Sequence, residues 1–133
     1  MNHEPAARLR GLYAITPELN DTALLLRKVE QALAGGARIV QYRNKSRDAA
    51  LRLAQTRALV SAVHAAKATL LINDDVQLAL ACGADGAHLG RDDGELAAAR
   101  AALGPDRLLG ASCYDRIELA ERALAAGADH VAF

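Results

Sequence analysis

The segment Leu78-Ala-Leu-Ala-Cys-Gly-Ala84 decides the fold, because its pattern stands three times in the chain. The other copies are Gln31-Ala-Leu-Ala-Gly-Gly-Ala37 and Arg122-Ala-Leu-Ala-Ala-Gly-Ala128. Each copy predicts a helix that ends at a glycine and is followed by an aliphatic strand. The aligned glycines are Gly36, Gly83 and Gly127. Their spacing corresponds to two βα units of about 23 residues each, a period that suits a (β/α)8 barrel.

Short aliphatic strands alternate with helices on both sides of these copies. The predicted strands are Leu12–Ile15, Arg38–Arg43, Thr69–Ile72, Gly86–Leu89, Leu108–Ala111 and Asp129–Phe133. The predicted helices are Asp21–Ala34, Arg47–Ala66, Asp75–Cys82, Gly94–Leu103 and Arg116–Ala126. Strict alternation with short links predicts right-handed crossovers and a parallel sheet.

Two α/β architectures are compatible with this alternation. A flavodoxin-like sheet of five or six strands fits the 133-residue length by itself. A TIM barrel usually needs about 250 residues. Under the barrel hypothesis, residues 1–133 form a single domain, an incomplete (β/α)8 barrel of about five βα units plus a sixth strand. The unpaired side of that sixth strand would then favour self-association.

Composition and charge exclude several partner classes. Basic and acidic residues number 16 each, and aromatic residues make up 3% of the chain. This balance gives no electrostatic reason to expect nucleic acid or an anionic membrane as a partner. Residues 1–5 lack the basic and apolar regions of a secretory signal, which predicts a cytoplasmic protein.

The segment Gln41-Tyr-Arg43-Asn-Lys45 ends the second predicted strand. If the strand continues through it, Gln41, Arg43 and Lys45 share one side. Two cations beside an amide at a strand's carboxyl end suit a diphosphate group, which arginine binds in bidentate fashion. The alternative is a solvated loop with ordinary surface charges.

Acidic residues follow the third and fourth predicted strands. Asn73, Asp74 and Asp75 open one helix, and Asp93 precedes the next. Because parallel strands end at one rim, Asp74 and Asp93 could reach one ion, and Mg2+ prefers one or two carboxylates plus phosphate oxygens. The alternatives are helix capping and a favourable interaction with the helix dipole.

His88 and Ser112 stand near the ends of the fourth and fifth predicted strands. His88 is interpreted as a packed histidine rather than a general base. No histidine or carboxylate pattern marks a nucleophile, so Ser112 is assigned to phosphate hydrogen bonding, with an N-cap role as the alternative.

These segments resemble the thiamine phosphate synthase family. The family's Q-x-R-x-K, I-N-D and H-L-G-x-x-D patterns stand here at residues 41–45, 72–74 and 88–93. The segments Leu12–Thr16, Gly110–Ser112 and Gly127–Asp129 are also similar to the family's. Position 91, where members often have glutamine, is Arg91, and its role is left open.

The resemblance implies a (β/α)8 barrel that joins hydroxymethylpyrimidine diphosphate to thiazole phosphate, with Mg2+ as cofactor. The implied diphosphate-substrate residues are Gln41, Arg43, Lys45, Asn73 and Ser112, and the implied metal ligands are Asp74 and Asp93. The family's thiazole-phosphate residues follow the sixth strand, so the activity of this chain alone stays open. The alternatives are a TenI-like thiazole tautomerase and a non-catalytic α/β module that binds a phosphorylated metabolite.

Overall fold

The computed structural model describes residues 4–90 and 93–133, and the side chains at positions 6, 93 and 94 lie outside this description. The strands are β1 (Leu12–Ile15), β2 (Ala37–Tyr42), β3 (Thr69–Asn73), β4 (Gly86–Leu89), β5 (Leu108–Ser112) and β6 (His130–Ala132). The helices are α1 (Pro5–Arg8), α2 (Thr22–Ala34), α3 (Ala49–Ala65), α4 (Val76–Cys82), α5 (Asp93–Leu103) and α6 (Ile117–Ala125). The sequence pattern did not predict α1, a single turn with proline at its start.

The strand order decides between the two predicted architectures. All six strands are parallel and lie in the order β1-β2-β3-β4-β5-β6, so each pairs with the strand before it in the chain. A flavodoxin-like sheet instead reverses direction, in the order 2-1-3-4-5. Right-handed crossovers that always advance in one direction place every helix on the same face of the sheet. This is the arrangement of a (β/α)8 barrel.

The sheet is strongly curled. The rings of Tyr13 on β1 and His130 on β6 have centroids 6.0 Å apart, although four strands lie between them. In a flat sheet these strands would be about 24 Å apart, since neighbouring strands are separated by about 4.8 Å. The six strands therefore form a half-barrel, and the prediction of an incomplete TIM-barrel fold is confirmed.

Apolar side chains pack on both faces of the curled sheet. Two clusters join the outer face to the helices, with Leu25, Leu59 and Leu70 in one and Leu96 and Leu109 in the other. A third cluster fills the inner face near the amino ends of the strands and consists of Ile39, Leu71 and Leu108, with Leu9 and Tyr13 against it. The barrel interior thus has an apolar floor, and any polar chemistry must lie above it.

The three repeated glycines terminate helices as predicted. Gly36, Gly83 and Gly127 have φ angles of +107°, +71° and +107°. These backbone angles are readily adopted only by glycine, which explains why the repeat keeps this residue.

An aspartate follows two of these glycines and ties the chain to the preceding strand. Asp85 Oδ2 accepts a hydrogen bond from the backbone N–H of Leu70 at 2.8 Å, and Asp129 Oδ2 accepts one from Leu109 at 2.9 Å. Arg100 pairs with Asp129 at 2.7 Å. In two of the three copies, the residue after the repeat therefore adds a hydrogen-bonded brace to the turn.

No helix in residues 4–90 and 93–133 is long and apolar enough to cross a membrane.

Candidate functional site

A cavity of about 380 Å3 opens above the apolar floor, near the carboxyl ends of the strands. We call it the strand-end cavity. Its lining consists of Tyr13, Ile15, Gln41, Arg43, Asn73, His88, Ser112, His130, Val131 and Ala132. Four of the five residues predicted to bind the diphosphate substrate are among them, and Lys45 is not. The fold therefore brings together side chains from β2, β3 and β5 that are far apart in the sequence.

Gln41 is held deep in this cavity. Its side chain is buried, and its Nε2 donates a hydrogen bond to the Tyr13 hydroxyl at 2.8 Å. Burial raises the pKa of Tyr13, while the hydrogen bond with Gln41 partly opposes that shift. The neutral phenol and the amide form a fixed polar pair directly above the apolar floor.

Arg43 lies just past the end of β2, and its guanidinium faces a carboxylate that the sequence analysis did not identify. Arg43 Nη1 is 3.6 Å from Glu18 Oε1, and both side chains are nearly half exposed. The backbone N–H of Lys45 donates to the same Glu18 oxygen at 3.2 Å. Glu18 follows β1, and the pairing of β1 with β2 brings the two segments together.

The condition for the strand-alternation argument at Lys45 is not met. β2 ends at Tyr42, before Arg43 and Lys45, so the period of two does not extend through this segment. The chain turns instead, because Asn44 Oδ1 accepts a hydrogen bond from the backbone N–H of Ser46 at 2.9 Å. Lys45 is exposed in this turn.

The two aspartates that follow β3, Asp74 and Asp75, have different roles. Asp75 is the N-cap of α4, since its Oδ1 accepts a hydrogen bond from the Leu78 N–H at 2.9 Å, and it also pairs with Arg52 at 3.2 Å. Asp74 has a φ angle of +59°, which is uncommon for a residue other than glycine. The capping alternative thus explains Asp75 and leaves Asp74 without a capping role.

Asp74 lines a second hollow, of about 310 Å3, beside α4 and α5. Its Oδ2 accepts a hydrogen bond from Asn73 Nδ2 at 3.3 Å, and Asn73 itself lines the strand-end cavity. Asp93 begins α5, but its side chain lies outside the described residues, as does Arg91. Among the described side chains, no group of three or more His, Cys, Asp or Glu residues is arranged to hold a metal ion.

Ser112 and His88 are hydrogen-bonded to each other. His88 Nε2 lies 2.9 Å from Ser112 Oγ. The following helix, α6, has Arg116 at its N-cap position, so the alternative assignment of Ser112 as its cap is wrong. His88 is 5% exposed, which agrees with the interpretation of a packed histidine.

A second histidine, His130, was missed by the sequence analysis. Its ring centroid is 5.4 Å from that of His88. Burial and, to a smaller extent, the nearby His130 lower the pKa of His88 to about 4, although Asp74 partly opposes the shift. Burial also lowers the pKa of His130, with Asp129 acting in the opposite direction. Both imidazoles are therefore neutral at pH 7.

The depressed pKa of His88 predicts an acid-sensitive fold. An unfolded histidine takes up a proton near pH 6.5 and the folded His88 only near pH 4, so stability is fully present above 6.5 and falls as the pH drops through this window. The loss of unfolding free energy attributable to His88 is roughly 3 kcal/mol, since each pKa unit corresponds to about 1.36 kcal/mol. His130 adds to the effect in the same direction.

Urea unfolding at several pH values between 4 and 7.5 measures this effect. Carboxylates also titrate at the acid end, so the quantity of interest is the difference between the unmodified chain and a His88→Gln variant. The unmodified chain is expected to lose unfolding free energy relative to the His88→Gln variant as the pH falls. Parallel stability curves would contradict the assignment of a buried, neutral His88.

Comparison with known proteins decides the family. The family described as thiamine monophosphate synthase matches residues 12–133. This chain belongs to the thiamine monophosphate synthase family. Its relatives include the thiamine-phosphate synthases of Chromobacterium violaceum, 59% identical over 126 residues, and Aromatoleum aromaticum, 54% identical over 129 residues. These alignments cover 95% and 97% of this chain but 61% and 62% of the relatives, so the chain spans about three fifths of their length.

Solved structures agree with this family and with the barrel. Thiamine phosphate pyrophosphorylase from Pyrococcus furiosus superposes with a TM-score of 0.79 at 32% identity, covering 90% of this chain and 57% of that protein. A solved aldolase superposes with a TM-score of 0.76 at 16% identity, covering 96% and 71%. The second likeness concerns the fold alone. The synthase names of the relatives give no support to the tautomerase alternative.

Proposed function

We propose that this member of the thiamine monophosphate synthase family is part of a transferase and supplies its binding site for the pyrimidine substrate. The reaction joins hydroxymethylpyrimidine diphosphate to thiazole phosphate and gives thiamine phosphate and diphosphate. The observation that carries the proposal is the convergence of Gln41, Arg43, Asn73 and Ser112 on one cavity. Residues 1–133 act in this proposal as one domain, the amino-terminal portion of a TIM-barrel synthase.

The proposed diphosphate position is beside Arg43. Its guanidinium is half exposed and is paired with Glu18 at 3.6 Å, longer than a direct hydrogen bond. Arginine binds phosphate oxygens through two parallel N–H groups, and a diphosphate offers several such oxygens and more negative charge than the single carboxylate of Glu18. Lys45, in the adjoining exposed turn, would contribute a second positive charge to the same group.

Asp74, together with Asp93, is the proposed ligand set for Mg2+. The carboxylate of Asp74 follows β3 beside Asn73, and its left-handed backbone is the kind of strain that accumulates at functional sites. Carboxylate oxygens are the hard ligands that Mg2+ takes in phosphate sites, so the donor set fits the ion. The bound ion would neutralise charge on the leaving diphosphate.

In this mechanism the C–O bond between the pyrimidine methylene carbon and diphosphate breaks first. The thiazole nitrogen then forms the new C–N bond to that carbon. Such a step requires charge stabilisation on the leaving group and orientation of the ring, but no protein nucleophile. Arg43 stabilises the departing oxygens, while Asn73 and Ser112 orient the substrate from neighbouring strand ends.

Calorimetric titration with hydroxymethylpyrimidine diphosphate, with and without Mg2+, tests this assignment. Mg2+ is expected to strengthen binding at least about tenfold, and a variant carrying Asp74→Asn and Asp93→Asn is expected to lose that gain, because each carboxylate is a charged ligand. Asp21→Asn is the matched control, since Asp21 caps α2 and asparagine caps a helix equally well. Equal Mg2+ dependence in the double variant would rule out these two ligands.

A further inference from the structure

The strand-end cavity is lined by two histidines with imidazole nitrogens that lack partners among the described residues. His88 Nδ1 and both ring nitrogens of His130 are buried and make no hydrogen bond within the described residues. A neutral imidazole carries one donor and one acceptor, and leaving such a group buried and unpaired costs about 1 to 3 kcal/mol. The unpaired nitrogens require an explanation, because the cluster beneath them consists of aliphatic side chains with Tyr13 packed against it.

The register of the sheet aligns the two histidines in one row. Asn73 pairs with His88, His88 pairs with Gly110, and Gly110 pairs with His130. Residues in one row of a parallel sheet face the same side, which here is the barrel interior. The row contains three polar side chains and one glycine, and it lies directly above the apolar floor.

Gly110 provides the space into which both rings turn. A Cβ atom at this position would lie 2.3 Å from His130 Nε2 and 2.5 Å from His88 Nδ1. Two atoms at those distances from a common point are at most 4.8 Å apart. The two nitrogens therefore lie close together over the glycine, while the other nitrogen of His88 lies 2.9 Å from Ser112 Oγ.

We propose that His130, held against His88 over Gly110, binds the nitrogen-bearing ring of the pyrimidine diphosphate. The inference rests on the proposed function of the same cavity and adds a ring-recognition residue to it. Arg43 and Asn73 are suited to the diphosphate end, whereas a neutral imidazole suits a ring whose edge presents nitrogen acceptors and an amino donor. A small rotation of the His130 ring brings one of its nitrogens to that edge, and the partner ring of His88 limits how far it turns.

Two ligands separate ring recognition from diphosphate recognition. The protein is titrated with hydroxymethylpyrimidine diphosphate and with inorganic diphosphate, both with Mg2+. His130→Phe keeps an aromatic ring and removes both nitrogens, so it is expected to weaken binding of the pyrimidine ligand about tenfold and to leave inorganic diphosphate within about twofold. His130→Gln keeps a donor and an acceptor and is expected to recover part of the loss.

The outcomes are distinguishable. Equal weakening of both ligands in His130→Phe indicates a structural role and overturns the inference, as does unchanged binding of the pyrimidine ligand. Failure of the unmodified protein to bind either ligand overturns the proposed function itself, and the inference with it.

Nitrogen resonances of His130 in the unmodified protein provide a test that needs no variant. They are expected to shift with the pyrimidine ligand and not with inorganic diphosphate. An equal response to both ligands contradicts ring recognition.

Discussion

Replacing Gly86 with alanine is expected to prevent β4 and β5 from pairing as they do in the native sheet. A Cβ atom on Gly86 would lie 1.9 Å from the carbonyl oxygen of Leu108 and 2.8 Å from its nitrogen. These are backbone atoms of the first residue of β5, which pairs directly with Gly86, so they cannot move aside as a flexible side chain would. We expect a loss of at least about 3 kcal/mol, at the upper end of overpacking effects.

Thermal and urea unfolding followed by circular dichroism measures this loss. Gly90→Ala is the matched control, because a Cβ there meets nothing within 4 Å and the backbone is not left-handed. The control is expected to unfold within about 0.5 kcal/mol of the unmodified chain, as surface substitutions usually do. Similar stabilities for the two variants would show that the β4 and β5 backbones are not as close as described.

Replacing Arg43 with alanine is expected to weaken binding of pyrimidine diphosphate by about 100-fold. The variant removes the bidentate phosphate donor, and charge-assisted hydrogen bonds contribute about 1.5 to 3 kcal/mol each. Because the Arg43–Glu18 pair is nearly half exposed, its loss has little effect on folding. Calorimetry in the presence of Mg2+ measures the effect, and it should decrease at high salt.

Two control variants sharpen this test. Arg47→Ala removes an exposed cation from the same loop, outside the lining of the strand-end cavity, and should change affinity by less than about threefold. Glu18→Gln removes the carboxylate that competes for Arg43 and is expected to strengthen binding several-fold. A weaker complex with Glu18→Gln would mean that Glu18 positions Arg43 rather than competing with the ligand.

Local patterns predicted the elements of this fold but not their arrangement. The glycine repeat identifies helix ends because it reflects backbone angles within a few residues. The order of the strands is a non-local property, so a barrel and a flavodoxin-like sheet remained equally compatible with the same alternation. The curl that places Tyr13 near His130 resolves the choice, and it depends on all six strands together.

The residues of the candidate site that stand at strand ends were predictable from the sequence, whereas those whose contacts depend on strand pairing were not. Gln41, Asn73 and Ser112 follow from the rule that parallel strands end at one rim, and all three line the cavity. Glu18 could not be assigned, because its contact with Arg43 requires the pairing of β1 with β2. His130 carried a recognisable signal, a polar residue inside an aliphatic strand, but its inward direction depends on the register with Gly110.

The sequential strand order also bears on how the chain folds. From β2 onward, every strand pairs with the one made just before it, so each βα unit adds one helical crossover to a surface that is already formed. Pairing between successive units costs less loop-closure entropy than pairing between distant parts of the chain. During synthesis, the sheet can therefore grow one strand at a time from its amino-terminal side, and the braces at Asp85 and Asp129 secure the addition of β4 and β6.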